Sequence, residues 1–145
     1  MAGTIVADTI QAASTSTLVL KNGVANTPPT IQDSAGTQIG TFCRAWVNFD
    51  GTTNTGGFCT IRASFNVTSV ADNGTGTYTV NLTNAMPDAN YSVVLGLNAA
   101  TDAAFIKLGK SAGIGVPTTL AFQVNTTNFS AVYTDYPGVF AAIFR

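Results

Sequence analysis

The chain has 145 residues with three Lys, three Arg and seven Asp, and contains neither Glu nor His. That length holds one domain with a real core and is too short for two comfortable ones. With no His, Ser-His-Asp and Cys-His nucleophilic systems are excluded, and six scattered cations leave no basic stripe for a nucleic-acid backbone or an anionic membrane.

Charged residues make up only 9% of the chain and hydrophobic ones 46%. So little charge on so apolar a chain points to surface covered by another chain rather than by water. Strong helix formers such as Glu, Lys and Arg are scarce, while Thr, Val, Phe and Tyr suit strands, so an all-β fold is expected. The longest apolar runs, such as Val93 to Leu95 and Val139 to Phe144, are far below a membrane span. The N-terminus lacks the basic and apolar regions of a signal peptide, so synthesis in a cytosol is expected.

Residues 1–40 read as an extended N-terminal arm. Ile5-Val6 and Leu18-Val19-Leu20 are apolar islands between polar stretches, and Pro28-Pro29 removes two amide donors, which keeps that stretch out of a regular sheet. The segment from Thr30 to Gly40 predicts two short strand-like pieces about a turn at Asp33 to Gly36.

Residues 41–145 form the predicted β-domain, an antiparallel sandwich or barrel of seven or eight strands. Cys43, Ala45, Val47 and Phe49 alternate with Phe42, Arg44, Trp46 and Asn48, a second face that is neither a normal core nor a normal wet surface. Cys59, Ile61, Ala63, Phe65 and Val67 then alternate with Thr60, Arg62, Ser64, Asn66 and Thr68, which predicts one half-buried strand with Ala63 and Phe65 inward. With Asp50 to Phe58 as the loop, Phe49 faces Cys59 and Trp46 faces Arg62, a guanidinium positioned over an indole. Cys43 then faces Phe65, about 20 Å along the hairpin from Cys59, against the roughly 4.4–6.8 Å between Cα atoms that a disulfide tolerates. Both cysteines are expected as free thiols.

Val70 to Gly76 reads as a turn cluster, with Asn73-Gly74 a strong hairpin signal. Tyr78, Val80 and Leu82 supply the next inward face, followed by Tyr91, Val93, Leu95 and Leu97, with Ser92, Val94, Gly96 and Asn98 opposite. Short runs follow at Ala103 to Leu108, Leu120 to Asn125 and Phe129 to Thr134. The last, Val139 to Phe144, is apolar on both faces, as in a central strand or one pressed against another subunit.

The chain carries little that resembles a chemical motif. Gly109-Lys110-Ser111 ends like a phosphate-binding loop, but Ala104 stands where the first glycine belongs. Cys43 and Cys59 lack the close pairing of a zinc knuckle, nothing matches a calcium loop, and the Asp residues sit mostly in turns, where they cap backbone amides. No catalytic residue, cofactor or metal is predicted. The expected functional surface is a subunit contact through Phe42, Arg44, Trp46, Arg62, Phe140 and Phe144, because aromatic and Arg side chains anchor interfaces.

The stretches Cys43-Arg-Ala-Trp-Val-Asn-Phe-Asp-Gly51, Ile61-Arg-Ala-Ser-Phe-Asn-Val-Thr-Ser-Val70, Asn73-Gly-Thr-Gly-Thr-Tyr-Thr-Val-Asn81 and Met86-Pro-Asp-Ala-Asn-Tyr91 resemble a β-module of tail-fibre and related virion proteins of tailed bacteriophages. Leu18-Val-Leu-Lys-Asn-Gly23 and Pro29-Thr-Ile-Gln-Asp-Ser-Ala-Gly36 are similar to the repetitive lead-in of such proteins. The likeness spans residues 15–98 and not the rest. It implies a non-enzymatic, homotrimeric virion component, made in the host cytoplasm; the sparse charge separately argues against nucleic acid or membrane as partner. A fibre presents such a module after a long shaft, whereas Met1 stands about forty residues upstream here. The expectation is therefore a capsid decoration (cement) protein whose arm grips the major capsid protein or another virion protein. A short tail fibre, spike or adaptor is the alternative, and a carbohydrate-binding module using exposed Tyr and Trp is a third.

Overall fold

The computed structural model describes residues 31–99, 104–109 and 117–145, and these form strands, turns and connecting segments without a helix. In chain order the strands are β1 (Ile31–Gln32), β2 (Gln38–Gly40), β3 (Cys43–Thr55), β4 (Phe58–Phe65) and β5 (Val67–Asp72), followed by β6 (Thr77–Leu82), β7 (Ser92–Asn98), β8 (Ala104–Leu108), β9 (Ala121–Asn128) and β10 (Gly138–Phe144). Strands β3 to β10 make one sheet in the order β7-β10-β3-β4-β5-β6-β9-β8, antiparallel at every step. Its two edge strands, β7 and β8, come back beside each other, so the sheet is a nearly closed barrel and not a two-sheet sandwich. Curling onto itself brings the two edges together at β7/β8, while β4 and β5 are joined by the single pair Phe58 and Ala71.

The inward-facing side chains fill the barrel. Phe49, Val70, Tyr78, Val80, Phe122, Val124, Val139 and Ile143 are almost completely buried, and Phe49 meets Tyr78 edge to face with ring centroids 5.2 Å apart. The predicted inward faces of β6 and β10 hold in full: Tyr78, Val80 and Leu82, and Val139, Ala141 and Ile143, are buried. β10 is a central strand between β3 and β7, and its end is tied down twice. Arg145 reaches Asp88 at 2.6 Å, and Thr41 Oγ1 donates to the Arg145 carbonyl at 2.9 Å.

One polar knot pins the barrel end. Tyr78 Oη donates its one proton to Asp135 Oδ1 (2.7 Å), with the Gly51 carbonyl (3.1 Å) as the second acceptor in reach, and the same carboxylate accepts the Gly76 amide (2.6 Å). Burial and the adjacent Asp135 charge push the Tyr78 phenol well above its ordinary value. Gly51 is obligatory there, because a Cβ would stand 2.5 Å from Tyr78 Oη and 2.9 Å from the Tyr136 carbonyl.

Several sequence expectations are corrected. The long strand from Cys59 to Thr68 breaks at Asn66, whose φ of 56° turns the chain through the left-handed region, and β5, from Val67 to Asp72, joins the end of that expected strand to Val70–Asp72 of the expected turn. Asn66 holds this corner with its side chain: Nδ2 donates to the Arg44 carbonyl at 3.1 Å and Oδ1 accepts the Asn84 amide at 2.8 Å. The run from Phe129 to Thr134 is not a strand. β9 continues to Asn128, and a tight loop with Ala131 at φ 59° returns the chain to a single bridge between Thr127 and Tyr133.

The expected loop of the first hairpin is also shorter than read. β3 runs on to Thr55, and Gly56-Gly57, both at positive φ, make the turn. Asn73-Gly74 does join β5 to β6, with Thr77 donating its amide to the Gly74 carbonyl at 2.9 Å. Residues 31–40 form a separate two-stranded hairpin in which Asp33 Oδ1 accepts the amides of Ala35 and Thr37, as its turn signals predict. Residues 1–30 of the proposed arm, and Lys110 and Ser111, lie outside the described residues.

Candidate functional site

In an antiparallel ladder, residues directly opposite each other point to the same face. Ala45, Val47 and Phe49 are buried, so Trp46 and Asn48 point outward from β3. On β10 the same logic sends Phe140, Ala142 and Phe144 outward. The ladder therefore lines up Phe65 on β4, Trp46 on β3, Ala142 on β10 and Val94 on β7 in one outer row. The adjoining row is Ala63, Asn48, Phe140 and Gly96.

Four large apolar side chains in these rows remain in solvent: Phe65 is 54% exposed, Val94 58%, Trp46 39% and Phe140 37%. Between Trp46, Val94 and Phe140 lies an apolar hollow of about 440 Å³, also bordered by Asn48, Gly96 and Ala142. Gly96 makes room for it, since a Cβ there would touch the Phe140 ring at 3.5 Å and fill the floor. Asn48 Oδ1 is buried at its margin with no hydrogen-bond partner among the described residues.

Phe65 reaches this face through a β-bulge. Asn48 pairs with Ala63, but the next residue, Phe49, pairs with Ile61, so Arg62 is an extra residue in β4. One inserted residue reverses the inside-outside phase of all that follows. Ile61 accordingly packs on the core, whereas Ala63 and Phe65, both expected inside, lie outside. A second bulge makes Arg44 the extra residue of β3 opposite β10.

The six residues named from the sequence therefore divide. Trp46 and Phe140 flank the hollow, and Phe144, half-buried, continues the outer face opposite Cys43 and Ser92. Phe42 is exposed just ahead of β3. Arg62 does not face Trp46; Phe65 does. The Arg62 guanidinium instead binds Asp50 at 2.6 Å and the carbonyls of Phe49 (3.2 Å) and Pro137, beside a smaller depression shared with Asn48 and Phe140. Hydrogen bonds from Thr52, with Arg62 adding its charge, hold the Asp50 carboxyl below the usual carboxylate value. Phe65 and Val94 were not singled out. Val94 carried a faint signal as the apolar member of an otherwise polar or glycine face, and Phe65 carried a misleading one.

Cys43 and Cys59 are both free thiols. Their separation at opposite ends of the hairpin stands despite the changed register. Burial, reinforced by nearby Asp72 and Asp135, pushes the Cys59 thiol up to about 12. Among the described residues no group of three or more His, Cys, Asp or Glu side chains is placed to hold a metal ion. Compared with known proteins, the chain matches no family model, no curated relative and no solved structure.

Proposed function

We propose that this protein is a structural component of a tailed-phage virion, a homotrimeric capsid decoration protein that works by surface contact and not by catalysis. The observation that carries the association is the outer row Phe65–Trp46–Ala142–Val94 with Phe140 beside it, an apolar band on the convex side of a barrel that already has a full core. Large aromatic side chains held in water by a rigid sheet are what subunit interfaces bury. The virion assignment rests on the resemblance of residues 15–98 to phage tail-fibre and related modules.

Two measurements test it. Sedimentation equilibrium at micromolar concentration is expected to give three times the chain mass, and a stable monomer overturns the association. Immunogold labelling of virions is expected to decorate heads. Label at tail tips replaces the decoration role with the tail-fibre or spike role, and absence of label from particles removes both.

A further inference from the structure

Three copies closed about an axis cannot all use one self-complementary patch. A cyclic trimer is built from heterologous contacts, in which one patch on each copy meets a different patch on the next. The homotrimer reading thus demands a second surface that fits the hollow beside Trp46, and the fold offers one.

It is the loop between β9 and β10. Phe129 at its tip is 74% exposed, more than any other large hydrophobic residue described, and Val132 and Tyr133 beside it are exposed as well. The loop is not slack. Asn128 accepts the Ala131 amide on its carbonyl and the Val132 amide on its side chain, both at 3.0 Å, and Thr127 bridges Tyr133. Lys107 on β8 lies over the Tyr133 ring at 5.9 Å, which sets this side chain against the outer face of β8 and β9. A rigid loop thus presents an aromatic knob that nothing among the described residues receives.

We infer that the hollow beside Trp46 receives the Phe129–Val132 tip of a neighbouring copy, so that copies join head to tail with the β7/β8 seam turned toward the shared axis. Size fits: a benzene-sized ring occupies a cavity of about 150 Å³, and the hollow's 440 Å³ holds Phe129 with Val132 beside it. Area fits too. With aromatic side chains of about 200 Å², the exposed parts of Trp46, Phe65 and Phe140 leave roughly 260 Å² of ring surface, about a third of the 800 Å² that one partner brings to a standard interface, before Val94 and Ala142 are added. Asn48 Oδ1 at the hollow's margin is an acceptor without a partner among the described residues, and the tip carries the Ser130 hydroxyl next to Phe129.

Placement agrees. The hollow lies over β7, β10 and β3, the knob belongs to the β8/β9 side, and β7 and β8 are neighbours across the seam. Hollow and knob therefore flank one line down the barrel, the arrangement that lets each copy of a three-membered ring contact both others near the axis.

This inference rests on the homotrimer reading, and mixing two variants separates the two. Trp46→Glu spoils the hollow and Phe129→Glu spoils the knob; each is expected to be monomeric alone, with association weakened roughly thirtyfold or more. A 1:1 mixture retains one good hollow and one good knob, so native mass spectrometry is expected to show a heterodimer containing one copy of each and no ring. Trp46 is the sole tryptophan, so its emission should shift to the blue on wild-type assembly and stay red in Phe129→Glu, whose near-ultraviolet circular dichroism and cooperative melt report that it is folded. Persistence of the trimer in Phe129→Glu, or a mixture that stays monomeric, overturns the knob-and-hollow pairing while leaving trimerisation intact. A monomeric wild type overturns the homotrimer itself.

Discussion

Trp46 and Phe65 stand directly opposite each other on β3 and β4, with both rings on the outer face of the barrel. The pair exists because Arg62 is inserted between Ile61 and Ala63 and turns the end of β4 inside out. A strand whose alternation points Phe65 into the core is thereby made to display it.

Trp46→Ala is expected to weaken association while lowering the melting temperature of the isolated chain only slightly, because the indole contributes nothing to the barrel interior. Phe49→Ala is the matched contrast three positions along the same strand. It empties a fully buried site against Tyr78 and should cost about 3–5 kcal/mol. Denaturant melts and sedimentation of the two variants separate the faces; equal loss of stability in both places the indole in the core.

The Arg62 lock is expected to be acid-sensitive. The folded Asp50 carboxyl lies below its ordinary value of 3.8. Its contribution is therefore present above that pH and is lost as pH falls through the folded value, when the carboxylate takes up a proton. Being partly exposed, the ion pair itself adds only about 0–1 kcal/mol. Asp50→Asn should flatten the acid limb of the stability profile by that amount. Arg62→Ala also loses the contacts to two carbonyls and should cost more, about 1–3 kcal/mol. Urea melts at pH 3 and pH 7 of both variants make the comparison.

At the barrel end, Gly51→Ala should cost about 3 kcal/mol or more, since the added methyl meets Tyr78 Oη and the Tyr136 carbonyl and neither has room to retreat. Tyr78→Phe removes the hydroxyl, the nearest of the clashing atoms, together with its hydrogen bonding, while the ring Cζ at 2.8 Å and the Tyr136 carbonyl at 2.9 Å stay in place; Asp135 keeps the Gly76 amide, for a loss of about 1–3 kcal/mol. The double variant should be less damaged than the two losses added together. Strict additivity in melts would mean that the Tyr136 carbonyl and the Tyr78 ring, and not the hydroxyl, oppose the added methyl.

Alkaline unfolding is expected between about pH 9 and pH 12. Burial lifts Cys59 from its ordinary 9.0 to about 12 and Tyr91 from 10.0 to about 12, and raises Tyr78 as well. Groups raised in this way stabilise the fold fully below their ordinary values and lose that contribution as pH climbs through the folded ones. Absorbance at 295 nm should show Tyr78 and Tyr91 ionising only together with loss of the near-ultraviolet circular dichroism signal. At pH 8, iodoacetamide should leave Cys59 unmodified until denaturant is added. Early labelling of Cys59 in the native protein contradicts its burial.

Much of the barrel is written in local pattern. Tyr78-Thr-Val-Asn-Leu82 and Val139-Phe-Ala-Ala-Ile143 alternate cleanly, the Asp33 and Asn73-Gly74 turns have the side chains their backbones need, and their faces come out as the period of a strand dictates. Where local pattern misled, a backbone irregularity intervened. Asn66 leaves the strand region because its amide finds better partners in Arg44 and Asn84, and Phe129 to Tyr133 alternates like a strand but has only Thr127 to pair with.

The sequence by itself determined that this is a β protein without the residues for His-based catalysis, that its final strand is apolar on both sides, and that Trp46 belongs to an unusual face. These follow from composition and from a period of two, which each segment carries within itself. Tertiary structure alone decided that Phe65 and Val94 join Trp46, that Arg62 serves Asp50 and not the indole, and that an apolar hollow forms beside Trp46 while Phe129 is left exposed at a loop tip. Bulges and strand order set those relationships, and both depend on which distant backbone donors and acceptors find each other when the sheet closes.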